Sequence, residues 1–371
     1  MSSQQALIAA KPQLIPTNEG GRTFAAPPAA LQTPITPNEL FYIRNHWKEP
    51  PRLDPATYRL ELDGEIDRRL SLGLHEMLEL PKKRLQVTLE CCGNSPVPEY
   101  WAKQTRSIME KVTGHGILSN AVWGGVSLAL VLERAGVKST AKEVVFTGAD
   151  HGPDEVVGDP PEVTYQRALP VAKAMHPDTL LAYEMNGEAL PVMHGSPLRL
   201  IVPGWYGMTS VKWLVGVSVI DHAFDGFYQR QRYMVMNGPG ADTFYSYLTE
   251  IKVKSIITNP MPGELVPLGT YRVAGAAWSG EKEIVRVEIS TDGGQTWHEA
   301  QLSPRINYSW YRWEFRWQPP SAGSYILMSR ATNNTGETQP MEFPNKWDGR
   351  SYGNNMVFRH PVEVRGVSGR L

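Results

Sequence analysis

The run Glu90-Cys91-Cys92-Gly93-Asn94 holds the only two cysteines of this 371-residue chain. A thiolate at a strand end, beside a glycine that lets backbone approach, suits a soft metal or an electrophile. Adjacent residues lie ~3.8 Å apart at Cα, which suits an ordinary disulfide poorly. The pair also lacks the spacing of a zinc ribbon, a haem attachment site or an iron–sulfur cluster. The competing reading is two inert thiols in a core, because free cysteine is among the most buried residue types. A cysteine nucleophile would need a histidine found only in space. The chain has no GxGxxG, GKS/GKT, HExxH or GxSxG. Nicotinamide, ATP, zinc-protease and α/β-hydrolase chemistry therefore have no local support.

The elements around this run must present it. Residues 84–90 (RLQVTLE) read as a strand leading straight into the thiols, and residues 58–62 (YRLEL) as another strand, ending at Asp63-Gly64. Residues 72–80 are short and leucine-rich, which predicts a helix. In residues 128–135 the spacing of Leu128, Val131, Leu132 and Ala135 predicts a second helix, stopped by Gly136. Residues 143–147 (EVVFT) read as a buried strand with a loop at 148–152, and residues 199–202 as a strand before Pro203-Gly204. Strands and helices alternate without a clean βαβ rhythm, so the expectation is a mixed α+β domain.

The texture changes near residue 250. Val285, Val287 and Ile289 alternate with polar residues, Asp292-Gly293-Gly294 marks a hairpin turn, and Tyr311, Trp313, Phe315 and Trp317 alternate again. That pattern predicts an immunoglobulin-like β-sandwich. Three segments are expected: an extended N-terminal arm over 1–37, an α+β domain over 38–249, and the sandwich over 250–371. Glycine (33) and proline (30) exceed their usual ~12% share, in keeping with many turns. A net charge of −1 argues against a nucleic-acid binder that works by bulk charge. No apolar run reaches the ~18 residues of a membrane span. The N-terminus shows neither an apolar signal core nor twin arginines, so the expected compartment is the cytoplasm, or the periplasm if a leader has been removed.

Taken together, the motifs resemble the sulfite oxidase family, whose members carry a mononuclear molybdenum–molybdopterin cofactor. The resemblance runs from Glu39 to the C-terminus. It rests on Phe41-Tyr42-Ile43-Arg44-Asn45-His46, Leu89 to Asn94, Ala121 to Val126, Phe146 to Asp150, Tyr183 to Gly187, His194 to Arg199, Val202-Pro203-Gly204 and Ser210 to Leu214. In the sandwich it rests on Asp292 to Trp297 and Trp347 to Arg350.

The resemblance implies that Cys91 is the molybdenum ligand and Cys92, in the place of the family's usual alanine, a bystander. It implies that Tyr42, Ile43, Arg44, Asn45, His46, Asp150, His194, Arg199, Ser210, Val211 and Lys212 hold the pterin and its phosphate. Arg44, Tyr233 and Arg359 would form the substrate pocket. Two departures concern that pocket: Pro96 replaces a second arginine, and about Thr113 replaces a tryptophan, with Lys103, Arg106 and His115 as nearby substitutes. The implied reaction is oxidation of sulfite to sulfate by oxygen-atom transfer, with electrons passed singly to an external acceptor such as a cytochrome c, in a homodimer. The alternatives are a related molybdenum enzyme, nitrate reductase-like or acting on another small substrate, and a non-catalytic binding or assembly protein of the same fold.

Overall fold

The computed structural model describes residues 13–17, 21–94, 116–153, 162–237, 244–261, 263–343 and 352–366. The strand ahead of the thiols runs Lys83–Glu90 and pairs antiparallel with Leu118–Ser127 along its whole length. Leu180–Met185 continues the sheet, and its far edge carries Glu188–Ala189 and Arg199–Ile201. One face of Lys83–Glu90 is apolar: Leu85, Val87 and Leu89 pack with Trp123, Leu180 and Ile201. Alternation sends Gln86, Thr88 and Glu90 to the other face. That face is buried too, because the sandwich covers it. Tyr308 N donates to Gln86 O at 3.0 Å, and Trp310 N donates to Thr88 Oγ1 at 2.8 Å.

A second sheet of five described strands has the order Leu70–Gly73, Arg59–Gly64, Leu214–Ile220, Glu143–Gly152, Val163–Pro170. Its Arg59–Gly64 and Leu214–Ile220 pair is parallel and its other pairs antiparallel, which makes the domain a mixed α+β unit. The helix expected at 128–135 occupies Leu128–Ala135, and Gly136 closes it at φ 72°, where a side chain would be strained. The helix expected at 72–80 is shorter, Leu74–Leu78. Its first residues are spent on the strand Leu70–Gly73, and Gly73 N donates to Glu76 Oε2 at 2.7 Å.

The loop expected at 148–152 is a continuation of the strand Glu143–Gly152. The register against Val163–Pro170 slips between Thr147 and His151, a bulge that re-aims the intervening residues. Among the described residues, no helix is long and apolar enough to cross a membrane.

The C-terminal part is a two-sheet sandwich. One described sheet has the order Lys254–Asn259, Tyr271–Trp278, Tyr311–Trp317, Gln301–Leu302. The other has the order Leu265–Pro267, His360–Arg365, Gly323–Asn333, Ile284–Ser290, His298–Glu299. Val287 and Ile289 face inward as the alternation predicts, but Val285 is 54% exposed. A register shift between Ile284 and Arg286 breaks the phase and turns Ile284 inward instead.

The sandwich has its own core around Val273, Val287, Trp313 and Leu327. Its Ile256, Ala276, Trp278 and Trp310 belong to the main core of the preceding domain. Ala26, Ala30 and Leu31 of the N-terminal segment join that core as well. Arg312 Nη1 donates to Leu31 O at 2.7 Å, so this segment bridges the two domains.

Candidate active site

Cys91 is the first residue after Lys83–Glu90 and is half-buried. It opens into a cavity. Elements far apart in sequence line it. Phe41, Tyr42, Arg44 and His46 come from the segment around Ile43–Arg44. Asp150 comes from the bulged strand, His194 from the turn Val192–His194, and Arg199 from the strand that follows. Ser210 and Lys212 follow the turn Gly207–Thr209, and Tyr233 follows the π-turn Tyr228–Arg232.

Ten of the residues named from the sequence therefore share one cavity: Tyr42, Arg44, His46, Cys91, Asp150, His194, Arg199, Ser210, Lys212 and Tyr233. Ile43, Asn45 and Val211 do not line it. Extended backbone sends alternate side chains to opposite sides. Ile43 packs with Leu14, Phe24 and Met193, and Val211 lies in the main core. Asn45 sits just behind the wall, where its Oδ1 accepts from Lys212 Nζ.

Arg359 is also outside the cavity. It is exposed, and its Nη2 lies 3.6 Å from where a Cβ on Gly293 would stand, at the sandwich turn. The next residue, His360, starts a strand with its side chain inward, so Arg359 faces away. Pro96, Lys103, Arg106, Thr113 and His115, and the Trp347 to Arg350 motif, lie outside the described residues.

Arg44 is the cation that acts on the Cys91 sulfur, and Arg199 and Lys212 also line the cavity. The Cys91 thiol is brought down to about 7: the hydrogen bond from the Cys92 thiol, Arg44 and the Gly93 N–H outweigh burial. Burial pushes the Cys92 thiol up. Burial and the surrounding Arg44, Arg232, Lys212 and Arg22 hold His46 well below the usual histidine range, so its imidazole is neutral. His46 Nε2 lies 2.7 Å from the Tyr233 hydroxyl, and its ring stacks on Tyr165 at 4.5 Å. Burial raises the Asp150 carboxyl to about 7, against the pull of Lys212.

Arg199 donates to the carbonyls of His194 and Ser210 at 2.9 and 3.1 Å, and its guanidinium lies 4.8 Å from the Trp123 ring centre. Three buried polar atoms around this cavity make no protein hydrogen bond: Asn45 Nδ2, Asp150 Oδ1 and Arg199 Nε. Buried polar atoms are rarely left so without a ligand or water to meet them.

Sequence reasoning passed over several contributors. Tyr165 and Met208 line the cavity. Arg167 lies under it, its guanidinium 5.6 Å from the Tyr233 ring centre, and donates to the carbonyls of Tyr228 and Leu248. Tyr165 and Arg167 sit at i and i+2 of Val163–Pro170, so they share a face. A buried arginine in a strand was the available signal.

Among the described residues no group of three or more His, Cys, Asp or Glu could hold a metal ion by itself. A metal here needs a further ligand set, with Cys91 giving one sulfur. A pterin-borne molybdenum matches that requirement. The orphaned donor and acceptor atoms suit a ring system rich in both, and Arg199 and Lys212 suit a terminal phosphate.

Comparison with known proteins agrees with this chemistry. Residues 46–228 match the oxidoreductase molybdopterin binding domain, and residues 246–365 the Mo-co oxidoreductase dimerisation domain. The chain is 35% identical over 360 residues to mitochondrial sulfite oxidase of Mus musculus, covering 92% of this chain and 64% of that protein. The chain thus spans slightly less than two thirds of the length of its mammalian relatives. It is 37% identical over 345 residues to sulfite oxidase of Gallus gallus, covering 87% and 72%. The NADH nitrate reductase of Ulva prolifera is 29% identical over 354 residues, covering 88% and 40%. The sulfane dehydrogenase SoxCD of Paracoccus pantotrophus superposes with a TM-score of 0.75 at 28% identity, covering 92% and 84%. The chain belongs to the sulfite oxidase family of molybdopterin oxidoreductases.

Proposed function

We propose that the protein oxidises a small sulfur oxyanion, sulfite first among candidates, and passes single electrons to an external acceptor of the cytochrome c kind. The carrying observation is the convergence of Cys91, Arg44 and Tyr233 on one cavity, around which Asn45 Nδ2, Asp150 Oδ1 and Arg199 Nε make no protein hydrogen bond. When bound, the molybdenum–pterin group supplies two-electron oxygen-atom transfer.

The chain's own residues would act as follows. Cys91 offers a sulfur whose ionisation is eased by the Cys92 thiol and Arg44. Arg199 and Lys212 neutralise the cofactor phosphate, Asp150 and His194 meet the pterin's donors and acceptors, and Asn45 holds Lys212 from behind the wall. Arg44 stays cationic because Tyr233 and Cys91 outweigh the effect of its burial. It therefore holds the substrate anion. Tyr233, its hydroxyl set by His46, hydrogen-bonds the bound oxyanion. The neutral His46 adds no further charge to compete for it.

A second reading, dehydrogenation of a sulfane sulfur, is favoured by the likeness to SoxCD over most of both chains. The sandwich is read as the surface that pairs two copies of the chain. The deciding experiment is substrate-dependent ferricyanide reduction by protein shown by elemental analysis to hold molybdenum. Turnover with sulfite is expected. Ferricyanide reduction with a sulfane donor alone, or nitrate reduction fed by a reduced dye in place of ferricyanide, would replace that substrate, and no molybdenum in fully loaded preparations would remove the reading altogether.

A further inference from the structure

The turn that carries Cys91 is gripped from the other domain. Glu90, immediately before Cys91, is wholly buried, and its carboxylate receives Lys254 Nζ on Oε1 at 2.6 Å and Trp278 Nε1 on Oε2 at 2.8 Å. Lys254 and Trp278 face each other across two paired strands of the sandwich, so one cross-strand pair supplies both donors that come from that domain. Lys254 Nζ also donates to Asn94 O at 2.7 Å, and Asn94 Nδ2 donates to Glu90 Oε1 at 3.1 Å. Gly353 N, again from the sandwich, donates to Cys92 O at 2.8 Å. Both ends and the middle of the turn Glu90–Asn94 are thus held by residues at least 160 positions away. None of Glu90, Lys254 and Trp278 lines the cavity.

Burying a charged pair is costly, and apolar residues of similar size would serve packing as well or better. A charged pair does offer direction: a carboxylate with two fixed donors cannot swivel without losing one of them. We propose that Glu90, clamped by Lys254 and Trp278, is a positioning residue that fixes the turn so that Cys91 Sγ stays aimed into the cavity. The sandwich thereby sets ligand geometry as well as pairing surface. This rests on the reading of Cys91 as the metal ligand.

The test compares E90Q/K254M, which removes both charges together, and W278F, which removes only the indole donor. Each is made in the full chain on a Cys92→Ala background. The first readout needs no metal: the rate of Cys91 alkylation by iodoacetamide in cofactor-free protein at one pH. The second is the electron paramagnetic resonance spectrum of pentavalent molybdenum in loaded protein, with metal content measured alongside. A severalfold change in alkylation rate and shifted g values, in variants whose circular dichroism matches the parent, are expected. Rates and spectra that superimpose on the parent overturn the proposal and leave the clamp a purely structural contact. Should E90Q/K254M fail to fold, W278F alone decides by the same readouts. A parent that never holds molybdenum defeats the functional reading separately, and the alkylation rates still judge the clamp.

Discussion

Nε2 of His46 lies 2.7 Å from the hydroxyl of Tyr233, although 187 positions separate them. The imidazole is half-buried and neutral, and Tyr233 is flanked by the guanidinium groups of Arg167 and Arg232 at 5.6 and 5.9 Å from its ring centre. The phenol is therefore held from several sides. Tyr233→Phe is expected to lower kcat/KM by about tenfold, and His46→Phe by a comparable amount through the loss of that hold. Because the two share one contact, the double variant should be no worse than the poorer single, with a coupling of about 1 kcal/mol. Additive losses in steady-state kinetics would mean that His46 acts independently of Tyr233.

The paired thiols should separate sharply. Cys91→Ala is expected to abolish molybdenum retention and turnover while leaving the circular dichroism spectrum unchanged. Cys92, 1% exposed in the main core, should tolerate alanine at a cost of about 1 kcal/mol, the scale of a small buried truncation. Elemental analysis of both variants checks the assignment, and equal loss in both would undo it.

Arg44 and Arg359 make opposite predictions. Arg44 lines the cavity and Arg359 stands at the Gly293 turn. Arg44→Ala should raise KM for the anion by about tenfold or more, the loss of one charge-assisted contact. Arg359→Ala should leave KM unchanged. A KM that follows Arg359 would show that this arginine reaches the site in the working assembly.

The buried pair behind Cys91 has a stability signature. Lys254→Met alone leaves the Glu90 carboxylate buried and uncompensated, which costs about 3–5 kcal/mol. E90Q/K254M should recover most of that loss. Denaturant unfolding of the three proteins measures it, and a single variant as stable as the double would contradict the geometry.

His360 gives a pH dependence. Burial holds its imidazole down to about 4 from the ordinary 6.5. Below pH 6.5 the unfolded chain takes up a proton that the folded chain refuses. Stability therefore falls as pH drops from about 6.5 to about 4, by on the order of 3 kcal/mol in all. His360→Gln should flatten that part of the curve. Thermal melts across this window would show an unchanged slope if other groups govern it.

What the sequence determined by itself was local or motif-borne. The strand into the thiols, the helix Leu128–Ala135 with its glycine stop and the alternating strands of the sandwich follow from periodicity and turn chemistry, which act over a few residues. The cavity residues were legible because Phe41 to His46, Leu89 to Asn94 and Ser210 to Leu214 resemble family motifs whose spacing carries the geometry.

The tertiary structure alone decided how those pieces meet. Lys83–Glu90 alternates as though half exposed, yet its polar face is buried under a sandwich whose strands begin 164 residues after Glu90. Residues 148–152 look like a loop until the register against Val163–Pro170 shows a bulge. Arg44 and Arg359 are both named as anion holders on paper, and only the tertiary structure places Arg44 on the cavity and Arg359 at the Gly293 turn. Burial, register and the sign of a nearby charge depend on chain brought from far away in sequence. Side-chain type and spacing within a few residues carry no record of them.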